Sequence, residues 1–394
     1  MTTRQTASRV GARFAVVALV IVTAAACGAD SGPSRSGAAS QQPGSSADSS
    51  AGSSASTDPL AELVAAAEKE GSLTTIALAH DWCNYGEALK TFTSRYAITL
   101  TELNPDAGFA DQIAAIKAGK ATKDPQAPDV IDVGLAFAAQ AKKDRLLAPF
   151  KVSTWDSIPD AAKDPAGFWY GGYYGVLAFE TNKTGGVKPP TSWADLLVKS
   201  NPQPFALAGD PRVSTQATQT VYAAALANGG TLDNAKPGLD FFAKLKKAGN
   251  LASQIATQET IDLGWTPITV RWTYNALAHR DRANGSPDID VAVPPTGRLA
   301  GLSIQAISAS AAHPNAARLW MEFLYSDEGQ NIWLKGNCNP VRLADLAARS
   351  AIPADIVANL PDTTKAVFPT LDQLNAATTL ITQNWNTAVG VDIK

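Results

Sequence analysis

Between Asp58 and Gly134 short apolar runs alternate with stretches of helical period, and this alternation restricts the chain to one fold class. Asp58 can cap a first helix, Pro59 suits its first position and Glu62 its first turn. Leu60, Leu63, Val64 and Ala67 recur at helical spacing, and Gly71 is a natural stop. Residues 73–79 then read as a strand, followed by a loop over 80–86 and a helix over 87–95. Residues 98–103 read as a second strand, 110–118 as a helix, and 129–133 as a third strand ending at Gly134. This order implies parallel strands with crossover helices, hence an α/β lobe.

A second series begins near Tyr174. It predicts strands over 175–180, 205–208, 268–271 and 289–293, helices over 193–198, 215–227 and 236–247, and another helix starting near Tyr274. A further strand over 302–308 comes after this series and precedes an amphipathic helix over 316–325. Ser326 can cap the next helix, with Asp327 and Glu328 in its first turn. More helices follow Leu343, and no internal repeat is present.

The N-terminus bears on the compartment. Arg4, Arg9 and Arg13 precede an apolar run over 14–22 and the small residues Ala24–Ala26, the pattern of a cleavable export signal. The run is shorter than the roughly 20 residues needed to span a bilayer. Cys27, directly after the small residues, resembles the cysteine of a bacterial lipobox. That resemblance implies acylation of Cys27 and anchoring outside the cytoplasmic membrane; the alternative is ordinary secretion. Residues 28–57 are mostly Ser, Gly, Ala, Gln and Pro, a tether-like composition. If Cys27 carries lipid, Cys83 and Cys338 remain of the 3 cysteines. Outside the cytoplasm such a pair tends to oxidise, so a disulfide is expected, with two separate thiols as the alternative.

Hydrophobic residues make up 45% of the chain and charged residues 18%, with a net charge of -3. Nucleic-acid binding would call for a basic face, and none is indicated.

Several motifs carry a family likeness. Trp169-Tyr-Gly and residues 176–182 resemble the crossover into the second lobe of bacterial solute-binding proteins of ABC transporters. Pro190-Thr-Ser-Trp-Ala-Asp-Leu196 is similar to their P-x-S-W-x-D-L helix entry. His313-Pro-Asn-Ala-Ala317 with Trp320, Phe323 and Ser326-Asp-Glu-Gly-Gln330, then Asn339-Pro-Val-Arg342, resembles their C-terminal segment. The branch it looks most like takes iron, polyamines or phosphonates. The resemblance implies a two-lobe periplasmic-binding-protein clamshell of type II-like form, with two crossover strands and C-terminal helices. On that plan 58–175 plus 296–342 form one lobe, 176–295 the other, and 343–394 pack on the lobes. It further implies a monomeric receptor, membrane-anchored by lipid, that passes a small-molecule ligand to an ABC permease.

In such a fold, ligands sit beyond the carboxyl ends of the strands, which selects four loops. The first offers Asp81, Trp82 and Tyr85, with aromatic faces and negative charge that suit a cation, or else a core tryptophan and a helix cap. The second is Gly134-Leu135, a backbone contact or a plain turn. The third holds Asp210 and Arg212 before a helix N-terminus, an anion site or simple capping. The fourth holds Arg271, Trp272 and Tyr274, where ferric-binding relatives place adjacent tyrosines. That pair is absent here, which argues against iron. Tyr174, beside Tyr173, reads as packing or as one cleft aromatic.

No nucleophile elbow, phosphate loop or zinc spacing occurs, and His80, His279 and His313 lie far apart. An enzyme is therefore not expected, nor a metal, cofactor or nucleic-acid partner. The aromatics and acids favour a polyamine-like organic cation as ligand. Arg212 and Arg271 keep an aminophosphonate or other anion open, the resemblance keeps a ferric ligand open, and a ligand-sensor role is the remaining alternative.

Overall fold

The computed structural model describes residues 58–198, 204–357, 361–363 and 365–394. The export signal, Cys27 and the tether-like segment lie outside the described residues.

The first helix, Pro59–Glu70, forms as its caps predict: the Asp58 carboxylate accepts from the Leu60 N–H, and Gly71 ends the helix in the left-handed region. Strands β1 (Ser72–Ile76) and β2 (Thr99–Leu103) pair in parallel across the helix Tyr85–Arg95. β3 (Val130–Gly134) follows the helix Phe109–Thr122, and β4 (Leu147–Ala148) is short. β5 (Tyr170–Asn182) is a single strand of 13 residues, all of them buried. β6 (Ile268–Trp272), β7 (Ile289–Ala292), β8 (Ala300–Ser308) and β9 (Asn339–Pro340) complete the set.

β5 joins the two halves of the molecule. Its first half pairs antiparallel with β8, from Tyr170–Gln305 to Val176–Ala300, and also with β9. Its second half pairs with β6, from Leu177–Trp272 to Thr181–Ile268, and with β7. β3 and β4 lie antiparallel on β8.

Each half has its own core. Leu73, Phe92, Trp320, Phe323, Tyr325 and Trp333 belong to one, and Phe179, Trp193, Val221, Phe242 and Leu245 to the other. The C-terminal helix Leu371–Ala388 adds Ala377, Ile381 and Trp385 to the second core. The expected disulfide is present: Cys83 and Cys338 are bonded, with Cα atoms 5.5 Å apart. Among the described residues, no helix is long and apolar enough to cross a membrane.

One element departs from expectation. Residues 205–208 form no strand, only a bridge from Phe205 to Leu251. The Ala206 N–H bonds the Ile268 carbonyl, while Phe205 pairs with the chain at 250–252, so no one neighbour continues the ladder. Gly209 and Pro211 then turn the chain away.

The helices Thr215–Ala227 and Lys236–Lys247 pack closely because residue 238 is glycine. A Cβ there would lie 2.1 Å from the Val221 carbonyl oxygen. Backbone cannot yield as a side chain can, so Gly238→Ala should cost roughly 1–3 kcal/mol, the usual range for overpacking. A lowered denaturant midpoint with an unchanged slope would show this; an unchanged midpoint would refute the close contact.

Candidate functional site

The loop between β1 and the helix Tyr85–Arg95 is held in an unusual shape. Ala77, Cys83 and Asn84 all have positive φ, at 59°, 47° and 63°. Backbone bonds from Gly86 to His80 and from Tyr85 to Trp82 close it, and the disulfide fastens it to Cys338. Gly336 packs so tightly beneath it that a Cβ there would sit 2.5 Å from the Cys83 carbonyl carbon. The loop thus presents Trp82, 38% exposed, at a fixed place.

Facing it is the turn from β6 into the helix Thr273–Ala283. Together they enclose a cleft of about 210 Å³, lined by Asp81 and Trp82 on one side and by Arg271, Tyr274, Asn275 and Arg282 on the other. Asn337 donates to Asp281 across the same gap at 2.9 Å. A recess of about 290 Å³ elsewhere, between Lys188 and Asn250, contains none of the predicted site residues.

The cleft wall is aromatic. The Tyr274 ring meets Trp82 edge-on at 5.1 Å, Tyr173 at 6.5 Å, and stacks on Trp272 at 6.3 Å. The floor beneath two of these rings is a glycine pair. Gly175 and Gly301 are cross-strand partners; a Cβ on either would come within 2.5 Å of the Tyr274 or Trp272 ring, respectively.

Behind the aromatics is a buried carboxylate. Asp132 accepts hydrogen bonds from Tyr85 Oη at 2.7 Å and Tyr173 Oη at 2.9 Å, and a close one from Ser303 Oγ. Tyr173 Oη in turn accepts from Trp82 Nε1 at 2.6 Å, and Tyr85 Oη from Gln305 Nε2 at 2.9 Å. Burial pushes the Asp132 carboxyl above its usual range, against the opposing pull of these donors. Burial and the nearby Asp132 charge push the Tyr85, Tyr173 and Tyr274 phenols up as well.

A second buried acid holds the cleft arginine. Glu180 on β5 is fully buried and takes Arg271 Nη1 at 3.2 Å. Its other oxygen is taken closely by His279 Nδ1, and His279 Nε2 reaches Asp262 at 2.7 Å. The hydrogen bond to Glu180, foremost, raises the His279 pKa.

The predicted residues divide accordingly. Asp81, Trp82, Arg271 and Tyr274 line the cleft; Trp272 stacks behind Tyr274, and Tyr85 sits one layer deeper on Asp132. Gly134 caps the helix Leu135–Lys143, and Leu135 packs into the core beneath it. Tyr174 faces the other side of β5, where its ring meets Phe368 at 5.0 Å; Tyr173 is buried behind Tyr274, on the cleft side of the strand. Asp210 and Arg212 form no anion site. Arg212 is held by Asp210 at 2.9 Å and Asp392 at 2.7 Å, and the following helix is capped by Ser214. Glu87, in the first turn of the helix Tyr85–Arg95, is likewise occupied, by Lys335 at 2.9 Å. Arg282 escaped notice in the sequence, although Tyr274, Ala278 and Arg282 recur at a spacing of four along one helix face. Among the described residues, no group of three His, Cys, Asp or Glu could hold a metal ion.

A strand shared by two lobes, with the cleft at the point where pairing passes from β8 to β6, is the architecture of a ligand-capturing clamshell. The chain belongs to the bacterial extracellular solute-binding protein family, whose model matches residues 126–376. Members bind small solutes outside the cytoplasm and deliver them to ABC permeases, and that is this protein's role. Similar solved structures include iron-bound HitA of Pseudomonas aeruginosa, at 19% identity and TM-score 0.56, covering 81% of this chain and 99% of that one. AfuA of Actinobacillus pleuropneumoniae, with fructose-6-phosphate bound, matches at 22% identity and TM-score 0.56, covering 80% and 98%. The Atu4243 GABA receptor matches at 17% identity and TM-score 0.56, covering 80% and 96%. A sequence comparison with curated proteins gives no match.

A raised histidine pKa stabilises the fold below the ordinary histidine range, and the stabilisation is lost as pH rises through the raised value. Stability should therefore fall as pH rises above about 6.5, the ordinary histidine value, and Glu180→Gln should flatten the slope. Melting temperatures above that pH test it; an equal slope in the variant would exclude the His279–Glu180 pair as the cause.

Proposed function

We propose that this protein captures a small zwitterionic organic solute in the cleft between Trp82 and Tyr274 and hands it to a membrane permease, with no chemistry on the ligand. Anchoring through an acylated Cys27 fits the same role.

The observation that carries this reading is the charge on the cleft wall. Arg271 and Arg282 line it against a single acid, Asp81. Glu180 engages only Nη1 of Arg271, and the hydrogen-bond partner of Arg282 is the neutral Gln258 at 3.0 Å. Guanidinium groups held in this way suit a carboxylate or phosphonate. A polyamine would have to place its repeated positive charges beside both arginines, so the cleft fits a polycation poorly. Ferric capture is also a poor fit, because phenols that burial keeps protonated resist becoming phenolate ligands. The GABA and fructose-6-phosphate named for two of the similar structures are likewise acids or phosphate esters.

Isothermal titration with 2-aminoethylphosphonate, 4-aminobutyrate and spermidine tests the assignment. At least one zwitterion should bind more tightly than spermidine, and Arg282→Glu should weaken it more than tenfold, about 1.4 kcal/mol or more. Tight spermidine binding that survives Arg282→Glu would overturn the zwitterion assignment.

A further inference from the structure

Asp132 is a buried carboxyl group with no cationic partner. Its side chain is 4% exposed, and among the described residues it forms no ion pair with Lys, Arg or His. The hydrogen bonds around it have a definite polarity. Trp82 Nε1 and Gln305 Nε2 can only donate, so the Tyr173 and Tyr85 oxygens accept from them. Each phenol hydrogen is then left pointing at Asp132 Oδ2, while Ser303 Oγ serves Oδ1. Three hydroxyls aimed at one carboxyl group make a site for the ionised form.

A buried carboxylate without a cation is costly, and a fold keeps one where something else supplies the positive charge. The cleft is the available source. Trp82 lines it and is two hydrogen bonds from Asp132, through Tyr173. Tyr274 lines it too, with its ring against both Trp82 and Tyr173. Ring faces backed by a negative charge attract an ammonium group more strongly than either does alone.

We infer that Asp132 is a specificity-determining residue: it selects ligands that carry an ammonium group, which docks against the Trp82 and Tyr274 rings and supplies the charge the carboxylate lacks. This rests on the zwitterion assignment above and adds which end of the ligand goes where: the ammonium towards the rings over Asp132, the acid towards Arg271 and Arg282. The recognition is long-range and electrostatic, so primary and quaternary ammonium groups are both accepted.

The test compares choline with its neutral isostere 3,3-dimethylbutan-1-ol, using tryptophan fluorescence of the purified protein. Wild type should prefer choline at least tenfold. Asp132→Asn should abolish the preference. No preference in wild type, or a preference that persists in Asp132→Asn, would overturn the inference, the first of these even if the variant fails to fold. Titration with 2-aminoethylphosphonate separates the two proposals. Choline selectivity without aminophosphonate binding would sink the zwitterion assignment alone. Arg282-dependent aminophosphonate binding without choline selectivity would sink the role of Asp132 alone.

Discussion

The backbone pairing of β5 is the constraint on which everything else depends. A strand buried along its whole length must satisfy every N–H and C=O through neighbours, because water cannot reach them. It does so with β8 and β9 in one lobe and with β6 and β7 in the other. The change of partners falls between Val176 and Leu177, and Leu177 pairs with Trp272. The cleft residues Arg271 to Tyr274 therefore leave the sheet where one lobe gives way to the other, and any hinge motion that reorients the lobes acts directly on them.

The aromatic wall depends on this pairing as well. Gly175 and Gly301 face each other across β5 and β8 at the crossover. Glycine in a strand costs roughly 0.5–1 kcal/mol of backbone entropy. The space it leaves lets Tyr274 and Trp272 lie almost on the backbone, and burying two large rings more than offsets that cost. Beneath the wall, the two buried acids act differently. Glu180 is shared between Arg271 and His279 and fixes a cation at the cleft, while Asp132 is met by neutral donors and no cation.

The parts of the fold legible in the sequence are those with local signals. Asp58 and Pro59 mark one helix start, Ser326 marks another, and the period of Leu239, Phe242 and Leu245 marks a buried helix face. The predicted strand began only at Gly175; its earlier reach was hidden because Gly171 and Gly172 are weak strand formers, though β5 runs through them. At the site, loops after strands pointed to Trp82, Arg271 and Tyr274, because that rule depends only on element order. The choice of Tyr173 over Tyr174 was not legible: side chains alternate along a strand, and the register shift between Gly171 and Tyr173 changes which face each takes. The inward aim of Asp132 was hidden for the same reason. Arg212 misled because its partner Asp392 lies 180 residues away, a contact no local pattern encodes.

The disulfide joins residues 255 apart in sequence, and this distance bears on more than the binding loop. The lobe that holds Cys83 also needs Trp320, Trp333 and β9 from beyond residue 300, while the other lobe needs Ile381 and Trp385 from near the C-terminus. Neither core can close on a partly emerged chain. Both lobes must therefore form late and together, once nearly the whole polypeptide is available, and the binding cleft between them is the last feature to be completed.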